Sequence, residues 1–128
     1  MTLESNGDLM EIIKINSNLS LDIELEKKVI HGGDKQTIGF FLNDTSDNNN
    51  KFSALIEGNI IYLSGLAESF SLNITDNQKY NYSWTINPKI QSYGTVLLEV
   101  NVVYNEISNI VNLSFYIDNN NKNEKDKH

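Results

Sequence analysis

Apolar and polar side chains alternate along most of this chain with a period of two. In "LSLDIELE", Leu19, Leu21, Ile23 and Leu25 are separated by Ser20, Asp22, Glu24 and Glu26. Successive side chains of an extended strand point to opposite sides, so this segment reads as a strand with one face in water. The same alternation returns in "QTIGFFLND" through Ile38, Phe40 and Leu42, and in "FSALIEGNIIYLSG" through Ala54, Ile56, Ile60 and Tyr62. In the second of these, Gly58 either stays in register or opens a bulge. "ESFSLNITD" contributes Phe70, Leu72 and Ile74, and "YNYSWTI" contributes Tyr80, Tyr82, Trp84 and Ile86. Two further strands follow in "TVLLEVNVVY" and "IVNLSFYI".

Turn-forming clusters separate these runs. They are "HGGDK", "NDTSDNNNK", "SG" at Ser64–Gly65, "TDNQK", "NPKIQSYG" and "NEISN". Seven short strands at regular spacing with no helical period predict an all-β protein, an antiparallel Ig-like β-sandwich of about seven strands. "DLMEIIKI" fits a helix face by spacing and a strand by its β-branched residues, and reads as a strand or an extended arm. The expected organisation is an N-terminal arm over 1–17, the sandwich over 18–117 and a disordered polar tail over 118–128. That tail has no apolar residue after Asp118.

The phase of the strands names the core. If Tyr80, Tyr82, Trp84 and Ile86 pointed outward, Asn81, Ser83 and Thr85 would have to fill the interior. Each unpartnered buried polar side chain costs about 1–3 kcal/mol, so the aromatic row belongs inside. Phe40, Phe70, Tyr82, Trp84, Ile86, Leu98 and Val100 are the expected core, with Tyr80 at the rim and its hydroxyl turned to the backbone.

Composition narrows the partners. The formal charge is -7 and every basic residue is lysine. Arginine, the residue suited to bidentate phosphate and guanine contacts, is absent, so no nucleic-acid partner is expected. No apolar run reaches the ~18 residues needed to cross a bilayer, so no membrane insertion is expected. The start "MTLESNGDLM" lacks the basic and apolar regions of a signal peptide, which leaves two expectations open, a cytoplasmic chain or a piece of a longer secreted protein. With no cysteine, disulfides and thiolate metal sites are excluded together.

Four segments in order, "GGDKQTIGFFLND", "ALIEGNIIYLSG", "ESFSLNITDNQKYNYSWTI" and "GTVLLEVNVVY", resemble the immunoglobulin-like repeats of prokaryotic surface proteins. The likeness is to bacterial Ig-like domains of the invasin/intimin type and to macroglobulin-like domains. It runs from Gly32 to about Tyr104. Asp76 and Tyr80 occupy the acidic and aromatic positions of the family's turn, while Gln78 and Lys79 stand where a glycine is usual. The resemblance implies a non-catalytic spacer or adhesive module outside the cell.

The candidate chemistry is sparse. His31 and His128 are the only histidines, and no nucleophile elbow accompanies His31, so no enzyme is expected. No cofactor is expected either. The loop "NDTSDNNN" fails the helix-loop-helix calcium pattern, with Asn49 and Leu55 where glycine and glutamate belong. A looser calcium site from Asp44, Asp47 and Asp76 remains as a candidate beside a plain solvated loop. Glycosylation sequons stand at Asn18, Asn43, Asn73, Asn81 and Asn112, and the phase turns Asn73, Asn81 and Asn112 outward. Phe41, Tyr93 and Tyr116 are the rings left over for stacking a carbohydrate.

The expected function is therefore a structural or interaction module, for adhesion or spacing, in a secreted or cell-surface protein. Its partner would be an unidentified protein or neighbouring domain, met by loops 43–51 and 87–94 or by strand addition at a free edge. The alternative is a small ligand-binding sandwich for carbohydrate or calcium.

Overall fold

The computed structural model describes residues 10–46, 52–86 and 93–118. Asp47, Pro88, His128, most of the two loops and all but Asp118 of the tail lie outside them. Nine strands follow in order: β1 (Met10–Asn16), β2 (Leu19–Leu25), β3 (Val29–His31), β4 (Lys35–Asp44), β5 (Ser53–Ile61), β6 (Ala67–Thr75), β7 (Lys79–Thr85), β8 (Gly94–Tyr104) and β9 (Ile107–Asp118). They form a four-stranded sheet, β1-β2-β4-β7, packed on a five-stranded sheet, β3-β9-β8-β5-β6. The protein is an all-β sandwich.

The count is nine rather than seven, and both extra strands carry weak signals. β1 belongs to the stretch expected as an arm, yet it pairs antiparallel with β2 through Met10–Glu24 and Ile13–Leu21. Only Ile13 on it is buried while Ile12 is exposed, so its alternation is blurred. β3 has three residues, too few to show any period, and it runs parallel to β9. The sandwich is thus not purely antiparallel.

β3 exists because the chain changes sheets after β2. Glu26 N–H still donates to Thr37 O on β4 at 2.8 Å, and two residues later Lys28 O accepts from Tyr116 N–H on β9 at 2.9 Å. Lys27 lies between the two ladders, and the fully buried side chain of Gln36 serves it. Gln36 Oε1 accepts from Lys27 N–H at 3.1 Å and Thr37 N–H at 3.0 Å, while Nε2 donates to Lys27 O at 2.9 Å. The buried amide thus fills the gap between two ladders and satisfies backbone groups that neither ladder pairs.

Elsewhere the register is regular. Gly58 forms no bulge and sits in line with Phe70 on β6 and Val100 on β8. Among the described residues, the one shift in pairing falls instead between Lys14 and Asn16 on β1. β8 and β9 join through Asn105 and Glu106, both at positive φ (52° and 68°). That is the two-residue hairpin geometry that matches strand twist.

Inward positions of both sheets interlock. Leu21, Ile23, Ile38, Phe40 and Leu42 of one sheet meet Ile56, Ile60, Ile74, Leu98, Val100 and Val102 of the other. An aromatic seam runs through the same core. Phe70 and Tyr82 stack with centroids 4.2 Å apart, Tyr82 lies 5.7 Å from Trp84, and Trp84 meets Phe115 edge-on at 6.1 Å. Trp84 is 8% exposed and Ile86 is fully buried, whereas Tyr82 and Tyr80 are half-buried. The Tyr80 hydroxyl accepts from Thr75 N–H at 3.2 Å and lies 2.9 Å from Gln78 Oε1.

Candidate functional site

Three places bring chemistry-bearing side chains together. In the core, Trp84 Nε1 donates to the Tyr62 hydroxyl at 3.3 Å, and that hydroxyl donates to Glu68 Oε1 at 3.4 Å. Burial, with the Glu68 charge adding to it, pushes the Tyr62 hydroxyl up to about 12; the indole N–H acts the other way. The native protein thus keeps a proton that the unfolded chain releases near 10. The associated stability is whole below pH 10 and is lost as the pH rises from 10 through 12. Thermal melts across that window are expected to fall more steeply for the wild type than for Tyr62→Phe. At neutral pH the variant should be less stable by about 1–3 kcal/mol, since Trp84 Nε1 loses its acceptor. Equal slopes would remove Tyr62 from the alkaline transition.

The second place is the end of the sandwich where β4 leaves the sheet. The β6–β7 turn is tied there at both sheets. Asp76 N–H donates to Phe52 O at 3.0 Å, Asn77 N–H donates to Leu42 O at 2.7 Å, and Asn77 Oδ1 accepts from Asp44 N–H at 3.2 Å. These bonds, with the parallel bridge between Leu42 and Asp76, bring the Asp76 carboxyl against that of Asp44. Asp44 Oδ1 accepts from Ser46 N–H at 3.0 Å and Ser46 Oγ at 2.7 Å. Ser46, first through its N–H and then its hydroxyl, holds the Asp44 carboxyl below the usual carboxylate range. Asp76 is 7% exposed, and among the described residues its Oδ1 has no hydrogen-bond partner. Asp47, the third acid named from the sequence, lies outside the described residues. Among those residues, no cluster of three or more His, Cys, Asp or Glu side chains could hold a metal.

The third place is the pair of outer faces, which differ in charge. The four-stranded sheet shows Lys14, Asp22, Glu24, Lys35 and Lys79 to solvent. Lys79 Nζ lies 3.8 Å from Glu24 Oε1. Gly39 leaves a shallow groove of about 290 Å³ there, lined by Glu24, Glu26, Thr37, Lys79 and Asn81. Across β5, β6, β8 and β9, short of Asp118, the outer face of the five-stranded sheet is serine, threonine, asparagine and aliphatic. Its only charges are Glu57 and Glu99, and Asn101 Nδ2 donates to Glu57 Oε1 at 3.3 Å. Leu97, Ile110 and Tyr116 stand exposed on it, Ile110 by 64% and Tyr116 by 46%.

The other sequence candidates are dispersed. Asn18 sits in the β1–β2 turn, Asn43 on β4, Asn73 on β6, Asn81 on β7 and Asn112 on β9; all are exposed except the half-buried Asn43. Tyr93 and Tyr116 come to the same end of the five-stranded sheet, since β8 begins beside the end of β9, while Phe41 is half-buried on the opposite sheet. His31 closes β3 beside a turn in which its N–H donates to Asp34 Oδ2 at 3.2 Å. Among the described residues no helix is long and apolar enough to cross a membrane. Gln36 and Tyr62 were not named from the sequence as polar centres. Gln36 does fall in phase with Ile38, Phe40 and Leu42, and that phase was the available signal.

No protein-family model matches this chain, and no curated sequence matches it. Among solved structures, the alkylpurine DNA glycosylase AlkC of Pseudomonas fluorescens, bound to DNA containing an abasic site analog, matches with TM-score 0.53 and 15% identity over 84% of this chain. The CARDB domain of the PF1109 protein from Pyrococcus furiosus, in complex with di-metal ions, matches with TM-score 0.48 and 12% identity, over 80% of this chain and 90% of that one. The sporulation control protein Spo0M of Bacillus subtilis matches with TM-score 0.45 and 10% identity, over 80% of this chain and 50% of that one. The chain spans 30% of the length of the glycosylase. At these identities the first likeness bears on the fold alone, and the other two add nothing to it. The expectation that the protein is not an enzyme is corrected by the glycosylase: part of an enzyme shares this fold, so the sandwich does not exclude catalysis.

Proposed function

We propose that this chain is an Ig-like interaction module that docks a folded protein or a neighbouring domain on the outer face of its five-stranded sheet. The observation behind this reading is the charge asymmetry of the two faces. A chain with net charge -7 leaves the outward positions of β5, β6, β8 and β9 with only Glu57 and Glu99, while Lys28 and Asp118 stand at the margin by Tyr116. Interface centres are depleted of charge and enriched in aromatic residues, and Leu97, Ile110 and Tyr116 supply the apolar studs. The Ig-like assignment rests on the passage of the chain from β4's sheet, through Lys27, to a parallel pairing with β9. With β2 and β3 read as two halves of one strand, and β1 as an addition, the seven-strand pattern is recovered.

DNA, named for the Pseudomonas protein, is not carried over to this chain. Binding to phosphates needs basic contacts, and the outer faces here carry few lysines and no arginine. The proposed location is the cell surface or the extracellular space, following the resemblance to prokaryotic surface repeats; protease shaving of intact cells tests it.

A photo-crosslinking residue placed at Ile110 in the native host is expected to trap a discrete partner, while one at Thr37 on the opposite sheet is not. Leu97→Glu with Ile110→Glu should weaken that complex at least tenfold and leave the melting temperature within a few degrees. Equal trapping from both faces would overturn the docking assignment.

A further inference from the structure

The carboxylates of Asp44 and Asp76 form a pair that the docking face does not use, at the end of the sandwich where the β6–β7 turn meets β4. We propose that they bind a hard divalent cation, of the calcium or magnesium class, with water completing its coordination. The reading is independent of the docking face.

Burial is the first argument. An anionic oxygen out of water needs a hydrogen bond, a positive neighbour or a metal, because its desolvation is otherwise uncompensated. Asp76 is more than nine-tenths buried, and its Oδ1 has none of these among the described residues. The Asp44 and Asp76 side chains are within hydrogen-bonding reach of each other, and Asp44 Oδ1 accepts from Ser46. A proton held between the two carboxyls still leaves Asp76 Oδ1 without a partner; a divalent ion in its place engages both carboxylates at once.

Rigidity is the second. The turn is fixed by Asp76 N–H to Phe52 O, Asn77 N–H to Leu42 O and Asp44 N–H to Asn77 Oδ1. Asn77 adopts a φ of 60°, which lets the chain reverse there and keeps Asp76 turned inward. The donors are therefore held in place before any ion arrives. The chemistry of the set selects the ion class: only oxygens are present, which suits hard cations and excludes thiophilic metals. Two carboxylates with water are enough for a magnesium-like site and for a weak calcium site.

The test uses the whole chain, with calcium chloride and magnesium chloride as probes against potassium chloride of equal ionic strength. One of the divalent salts is expected to raise the melting temperature by about 5 °C at ten times its dissociation constant. In amide NMR spectra the saturable shifts should be centred on Asp44, Asp76 and Asn77. Asp76→Asn should abolish the response. It should also melt no lower than the cation-free wild type, because an amide has no charge to desolvate in that buried place; a purely structural acceptor at this position would behave in the opposite way. No melting shift and no saturable amide shift up to about 20 mM of either salt, well above the range of weak extracellular calcium modules, would overturn the proposal. So would a response that persists in the Asp44→Asn, Asp76→Asn double variant. If Asp76→Asn fails to fold, the location of the amide shifts in the wild type decides.

Discussion

Gln36→Met is expected to lower the unfolding free energy by about 1.5–4.5 kcal/mol, out of the 5–15 kcal/mol that holds a domain of this kind. Methionine keeps the length and nearly the volume of glutamine, so no cavity opens and the change isolates the amide. Three backbone groups lose their partner: Lys27 N–H, Lys27 O and Thr37 N–H. Each such part-buried hydrogen bond contributes about 0.5–1.5 kcal/mol net. Methionine fills the amide's fully buried place, so no water takes it over. Denaturant titration gives the loss, and hydrogen exchange at the Lys27 amide gives its location, with protection falling before that of the β8 amides. A loss below about 1 kcal/mol would mean that the strand switch is held by β3 and β9 pairing alone, and that the amide is incidental.

Such a residue shows why part of the fold is legible in the sequence and part is not. Alternation is a local property, so Leu19 to Leu25 or Val96 to Val102 announce their strands and their inward faces from composition alone. The aromatic row at Tyr82 and Trp84 could be turned inward by the cost of burying Asn81, Ser83 and Thr85. A sheet change is different. It is made by one polar side chain serving a backbone nine residues away; the inward phase of Gln36 marks the side chain as buried, but nothing at Lys27 names the backbone it serves. The three residues of β3 then follow from pairing with β9, almost ninety positions downstream.

The acidic site divides in the same way. Asp44, Asp47 and Asp76 come forward by residue type, but the approach of Asp44 to Asp76 depends on the hydrogen bonds of Asn77 to Leu42 and Asp44, which no spacing reveals. The docking face is closer to the sequence. The outward phase of β5, β6, β8 and β9 is readable as a charge-poor set once those four strands are known to share a sheet, and only their order in space was missing.

The second large effect is expected at Gly58. Glycine inside a strand is ordinarily worse than alanine by about 0.5–1 kcal/mol, so Gly58→Ala would be stabilising if nothing occupied the space. Here a β-carbon would lie 2.3 Å from Cε1 and Cζ of Phe70, the residue directly across on β6. The ring cannot step aside freely: it is stacked on Tyr82 at 4.2 Å and lies 6.4 Å from Phe40. Overpacking of this kind costs about 1–3 kcal/mol, so the sign reverses and Gly58→Ala is destabilising. Phe70→Leu removes the ring that fills the glycine's place and should itself be destabilising. In the double variant the added methyl meets a smaller, movable side chain, so the two losses should fail to add by at least about 1 kcal/mol. Urea melts of the two single variants and the double measure this coupling directly. Additive losses, or a Gly58→Ala protein as stable as the wild type, would show that Phe70 does not lie over Gly58, and with it the aromatic seam between the two sheets would have to be redrawn.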